Sequence, residues 1–228
     1  MRPMGDDLKV TIRIGDVNYR TDISKIPYLE SFVRLQKATR PETTKIIHGP
    51  INLFDVALKG VESGYRQCFR CLPPNLSQYR ALLQTYKFLD VDVLNNLSMD
   101  QVIANLKVIK KYDDFEERRQ ISRNKAFARD TAFQLLYLML QPRSGDETMD
   151  SMKLFNAVIF VVSHPGTFKD RTKRMVRVAY EEQFRLTFKQ RVRLDQWEKG
   201  ETADSEVDMT TEEESDFDFD SDNSLSSF

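Results

Sequence analysis

The sequence predicts an α+β protein: a small sheet-and-helix domain, then a helical extension, then a disordered acidic tail. Three observations carry that expectation. Apolar residues alternate with polar ones over residues 8–22 and nowhere else for as long. From residue 27 to about 199, apolar residues recur at helical spacing. From Glu201 onward the chain is acidic and rich in Ser and Thr, with no Lys or Arg, too polar for burial to offset the entropy of ordering. With 228 residues, 40% of them hydrophobic, the remainder suffices for a core. The expected boundaries are a flexible N-terminus at 1–7, the sheet-and-helix domain at 8–108, the helical region at 109–200 and the tail at 201–228.

The first element reads as a hairpin. Val10, Ile12 and Ile14 alternate with Lys9, Thr11 and Arg13, and Val17, Tyr19 and Thr21 alternate with Asn18 and Arg20. Gly15-Asp16 between them supplies the positive φ of a two-residue turn. One face is apolar and needs a covering layer. After Ile26-Pro27, Leu29, Phe32, Val33 and Gln36 form a helical stripe. Residues 37–45 read as a loop, and Lys45–His48 as a short strand stopped by Gly49-Pro50. Asn52, with Asp55 three residues on, is expected to cap a helix bearing Phe54, Ala57, Leu58, Val61 and Tyr65. Ser77 is expected to cap the next, with Tyr79, Leu82, Leu83, Tyr86 and Leu89 along one face. A turn at Asp90–Val93 ends it, and Ser98 leads into a short helix carrying Val102, Ile103, Leu106 and Ile109.

Residues 110–130 are dense in charge and read as a solvated helix or linker into the apolar run 131–140. Leu154–Val162 is apolar all round and is assigned to a helix stopped by His164-Pro165-Gly166. Residues 169–199 read as one long basic helical stretch, with Val176, Tyr180, Phe184, Phe188 and Val192 four apart.

The order hairpin, helix, short strand, helix, helix pair resembles a divergent BTB/POZ domain of the kind common in filamentous fungi. Val10–Tyr19 is similar to the family's opening hairpin. Ile51–Tyr65 is similar to its helix with an acidic residue beside Phe and a hydrophobic stripe ending near Gly and Tyr. Leu76–Leu94, with Tyr86-Lys87-Phe88-Leu89-Asp90-Val91, looks like its leucine-rich helix followed by a bend. The likeness covers residues 8–108. It implies protein–protein binding without catalysis: self-association, or an adaptor role toward a ubiquitin-ligase scaffold or a transcriptional complex.

The side chains that carry chemistry fit that expectation. Cys68-Phe69-Arg70-Cys71 is a single CxxC, and the two histidines, His48 and His164, stand far apart in sequence, so no zinc set is completed. Neither histidine has a nucleophile or acid at triad spacing. Phosphate-binding glycine motifs are absent. No cofactor and no small-molecule substrate are expected. The N-terminus lacks the apolar core of a signal peptide and no run is long enough for a membrane span, which with two cysteines points to an intracellular, reducing compartment, cytoplasmic or nuclear.

Charge is distributed unevenly. Of 35 acids, eleven lie in 201–228, which leaves residues 1–200 with 24 acids against all 34 bases. The basic helical stretch, through Arg171, Lys173, Arg174 and Arg177, is a candidate binding surface for an acidic partner. The alternative to a protein-interaction role is a nucleic-acid-associated regulator binding through residues 169–193. In the tail, Ser205, Thr210, Thr211 and Ser215 each have an acid three residues on, a pattern favoured by acid-directed kinases. Phe217 and Phe219 among the acids are candidate anchors for a partner.

Overall fold

Three short strands and nine α-helices make up the residues that the computed structural model describes, namely 9–42, 45–106, 115–141, 150–164 and 166–198, the side chains of 115–123 and 197–198 excepted. Strand β1 (Lys9–Ile14) and strand β2 (Val17–Asp22) pair antiparallel, with Ile12 opposite Tyr19 and Ile14 opposite Val17. Gly15 turns the corner at φ 57°. Strand β3 (Ile46–His48) joins the other side of β1 in parallel, giving the order β2-β1-β3. A parallel neighbour requires a crossover. Helix α1 (Pro27–Thr39) supplies it, starting with proline at its first position and burying Leu29 and Val33. The pairing puts Ile12, Ile14 and Ile46 on one face, and all three are buried.

Helix α2 (Phe54–Ser63) lies in the layer beneath. Asn52 does not cap it: Leu53 takes the cap position at φ 51°, and no side chain caps the helix end. The Asn52 carbonyl instead accepts a hydrogen bond from Thr85 Oγ1 at 2.7 Å. Gly64, at φ 93°, ends α2, so Tyr65 falls in the following 3-10 turn rather than on the helical stripe. Helix α3 (Cys68–Cys71) is a single turn. Helix α4 (Leu76–Phe88) begins one turn signal earlier than expected. Asn75 caps it by accepting from Ser77 N–H at 3.0 Å, because an extended Asn75 reaches the second helical amide and a Ser77 already inside the helix does not. Helix α5 (Met99–Leu106) starts at a reciprocal box in which Ser98 Oγ accepts from Gln101 N–H and Gln101 Oε1 accepts from Ser98 N–H.

Of the two readings for the charged run, helix or linker, its described part is helical and continuous with the apolar run in one 26-residue helix, α6 (Phe115–Leu140). Helix α7 (Ser151–Ser163), capped by Asp150, is helical as the sequence suggested. The basic stretch is not one helix. It divides into α8 (Asp170–Gln183) and α9 (Phe188–Glu198), with Phe184 extended between them. The break has a local cause: Thr187 and Gln190 form a second reciprocal box that starts a new helix. The four-residue stripe fails with it, and Phe188 is 82% exposed while Leu194 is fully buried.

One cluster of buried residues runs from Ile12 to Leu194, through both the sheet-bearing part and the helical region. Phe133 of α6 is the junction. Its ring stacks on Tyr65 and meets Phe69 and Tyr86 edge-on, all within 6.2 Å between centroids. Gln134 beside it donates to the Val93 carbonyl at 2.9 Å. No described helix is long and apolar enough to cross a membrane.

Candidate interaction sites

Two parts of the surface gather aromatic or basic side chains from several elements. The first is an aromatic face at one rim of the sheet. Tyr28 and Phe32 stand one turn apart on α1 with rings stacked at 6.3 Å, His48 ends β3, and Phe88 ends α4. Tyr28 lies 4.5 Å from Phe88, and His48 lies 4.8 Å from Phe32 and 6.3 Å from Phe88, measured between ring centroids. Phe88 is 49% exposed, and Leu35, further along the same α1 stripe, is 63% exposed. The histidine is fixed by its bonds. The Gly49 carbonyl, 2.7 Å from Nδ1, can only accept, so Nδ1 carries the hydrogen and Nε2 accepts from the Tyr28 hydroxyl at 2.8 Å. His48 is thus a ring in an aromatic cluster with both nitrogens engaged.

The second surface is a basic cleft of about 340 Å³. Arg66 and Arg70 come from the segment around α3, Arg129 from α6, and Lys169 and Arg171 from the start of α8, with Phe69 and Thr172 completing the walls. Arg171 Nη1 donates to the carbonyls of Phe69, Arg70 and Leu72 at 2.9–3.2 Å, satisfying the end of α3 and locking α8 against it. Arg129 Nε donates to the Thr167 carbonyl. Burial, together with Arg70 and Arg66 nearby, holds the Arg129 guanidinium below its ordinary pKa. Asp130 meets Arg66 through both the backbone amide and the guanidinium, each at 2.6 Å. Its carboxyl is nevertheless pushed above its ordinary value, because burial outweighs those bonds.

The sequence-selected residues scatter when placed on this framework. Arg171 lies in the cleft. Lys173 is almost wholly buried, and its ammonium pairs with Asp170 at 2.8 Å. Arg177 bridges Glu181 at 2.8 Å and Asp195 at 2.5 Å. Arg174 is exposed. Phe217, Phe219, Ser205, Thr210, Thr211 and Ser215 lie outside the described residues. Arg66, Arg70 and Arg129 were not selected, since they stand on separate elements and no spacing links them.

Cys68 and Cys71 part ways. Cys68 is fully buried, with its Sγ 3.3 Å from the Tyr86 hydroxyl, and burial pushes its thiol up to about 12. Cys71 is exposed. Among the described residues, no group of three His, Cys, Asp or Glu side chains is placed to hold a metal ion. His164 ends α7, and its Nδ1 donates to the Phe160 carbonyl at 2.7 Å, a helix-end role. No protein-family model, no curated protein and no solved structure matches the chain.

Proposed function

We propose that the protein is a non-catalytic protein–protein interaction module that pairs with a second copy of itself through the aromatic face of Tyr28, Phe32, His48 and Phe88. The aromatic cluster, exposed at Phe88, carries this reading. A half-exposed Phe88 against the partly buried rings of Tyr28, Phe32 and His48 is an apolar feature of the sort that marks a contact site, and Leu35 is exposed on the same α1 stripe. Two features favour a second copy as its occupant. The centre of the face is uncharged, so two copies meet without like-charge repulsion. Strand β3 is the edge strand of the described sheet, and pairing with its own copy is a two-fold operation that closes on itself. The order of hairpin, helix, parallel third strand and helices also accords with a BTB/POZ-like domain at residues 8–108, and self-association is what that likeness implies. An adaptor role would use the same face toward a different protein.

The nucleic-acid alternative draws less support. Lys173 and Arg177 are engaged by carboxylates, so these two of the four bases singled out on residues 169–193 are already paired within the chain.

Sedimentation velocity of the full chain tests the proposal. The protein is expected to be dimeric at about 100 µM, a range in which micromolar association is saturated. Phe88→Glu and, separately, Leu35→Glu are expected to give monomers with unchanged circular dichroism. A parent that stays monomeric, or a Phe88→Glu variant that dimerises as tightly as the parent, overturns it.

A further inference from the structure

The basic cleft brings five cations from three parts of the fold to one cavity, with Asp130 as the carboxylate bonded to one of them. Arg171 and Arg129 are held in place by carbonyls, which orient a guanidinium without neutralising it. Arg70 and Lys169 stand exposed on the rim. Helix α8 also begins here without a side-chain cap, and its first-turn Asp170, whose carboxylate would oppose the positive helix end, is paired with Lys173. Like charges gathered around a concave wall focus potential, and an anion entering gains from all of them together.

We propose that this cleft is a binding site for a carboxylate- and phosphate-bearing peptide, and that its occupant is the acidic segment 201–222 of the same chain. The segment carries eleven acids and no base. The chain also emerges in the right region. Asp195 of α9 pairs with Arg177, six residues along α8 from the Arg171 that lines the cleft, and Glu198, the last residue of α9, follows three residues later. The 14 residues of α8 rise about 21 Å, and ten extended residues span roughly 33 Å, so the acids reach the cleft with length to spare. Tethering gives such a segment a local concentration on the order of millimolar, enough for a modest intrinsic affinity to fill the site. Phosphate on Ser205, Thr210, Thr211 or Ser215 adds about −1.5 to −2 charges per site and tightens the contact. This inference does not rest on pairing through the aromatic face, which lies on other elements.

Zero-length carbodiimide coupling of the full chain tests it, with equal parts of unlabelled and nitrogen-15-labelled protein mixed before reaction. The Lys169 amine is expected to couple to carboxylates of 201–222, within single chains rather than between labelled and unlabelled ones. Arg70→Glu, which leaves Lys169 as reporter, is expected to lower that yield by roughly fivefold or more at unchanged melting temperature, and salt at about 0.5 M to do the same. Phosphorylated protein is expected to retain the coupling to higher salt. Coupling of the tail to Lys59 and Lys87 as readily as to Lys169 overturns the proposal, as does coupled product of which about half joins labelled to unlabelled chains, the share expected of coupling between chains. So does a yield indifferent to Arg70→Glu, with Arg70→Ala standing in should the glutamate variant melt early. A cleft that an added oligonucleotide crosslinks, while the tail does not, assigns the site to nucleic acid instead.

Discussion

Cys68 sits against the Tyr86 hydroxyl with no exposed surface, and its thiol is held near 12 by burial, the hydrogen bond shared with Tyr86 offsetting only part of that. A thiol in that state is neither a nucleophile nor a metal ligand at neutral pH. Its titration has a definite sign. The native state keeps a proton that the unfolded chain releases near 9, so its share of stability is complete below about pH 9 and is lost as pH rises toward 12. Unfolding free energy, measured in urea at about pH 8 to 10, is expected to begin falling by up to about 1.4 kcal/mol per pH unit from this group. Cys68→Ala is expected to remove that share of the slope; an unchanged slope would show that other groups dominate, Tyr86 foremost, whose hydroxyl burial also raises. The CxxC spacing alone drew attention to both cysteines, but only packing distinguished them.

At the scale of elements, α2 and α4 approach so closely that Gly60 has no room for a side chain. A Cβ there would stand 2.1 Å from Tyr86 Oη and 3.0 Å from Cys68 Sγ, and both residues are fully buried and cannot swing away. Gly60→Ala is expected to destabilise the protein by about 1–3 kcal/mol in chemical denaturation, as overpacking does. The same substitution in a Tyr86→Phe background should cost less, since the clashing oxygen is gone; equal costs would place the strain elsewhere. Helix starts teach a related lesson. Ser98 with Gln101, and Thr187 with Gln190, are capping boxes written in the sequence, and the second was masked by an apolar stripe that ran across it. Asn52 carries the right side chain for a cap, but its backbone is used by Thr85 of another helix.

Across the whole molecule, the sheet-bearing part and the helical region share one core through Phe133, which touches Tyr65, Phe69 and Tyr86. Arg171 and the ion pair of Arg80 with Glu182 tie α8 to the same part from outside. Phe133→Ala is therefore expected to cost about 3–5 kcal/mol and to lower the stability of both parts together. Hydrogen exchange read on β1 and on α7 in that variant should show equal losses. A loss confined to α6 and α7 would mean that residues 109–200 fold as a separate unit.

Alternation of side chains with period two, and recurrence at three and four residues, settled the hairpin, the helical character of most of the chain and the inward faces of α1, α2 and α4, though not of the stretch from Phe184 to Val192, because those periods are properties of the backbone itself. The separation of charge between residues 1–200 and the tail was equally plain from composition. The cleft was not legible. Arg66, Arg129 and Lys169 are spread over about a hundred residues of sequence, and what unites them is the docking of α8 and α6 against α3, a result of non-local packing. The same packing turned Lys173 and Arg177 inward to carboxylates and left Phe88 outward beside His48, since exposure depends on which neighbours arrive and not on the residue alone.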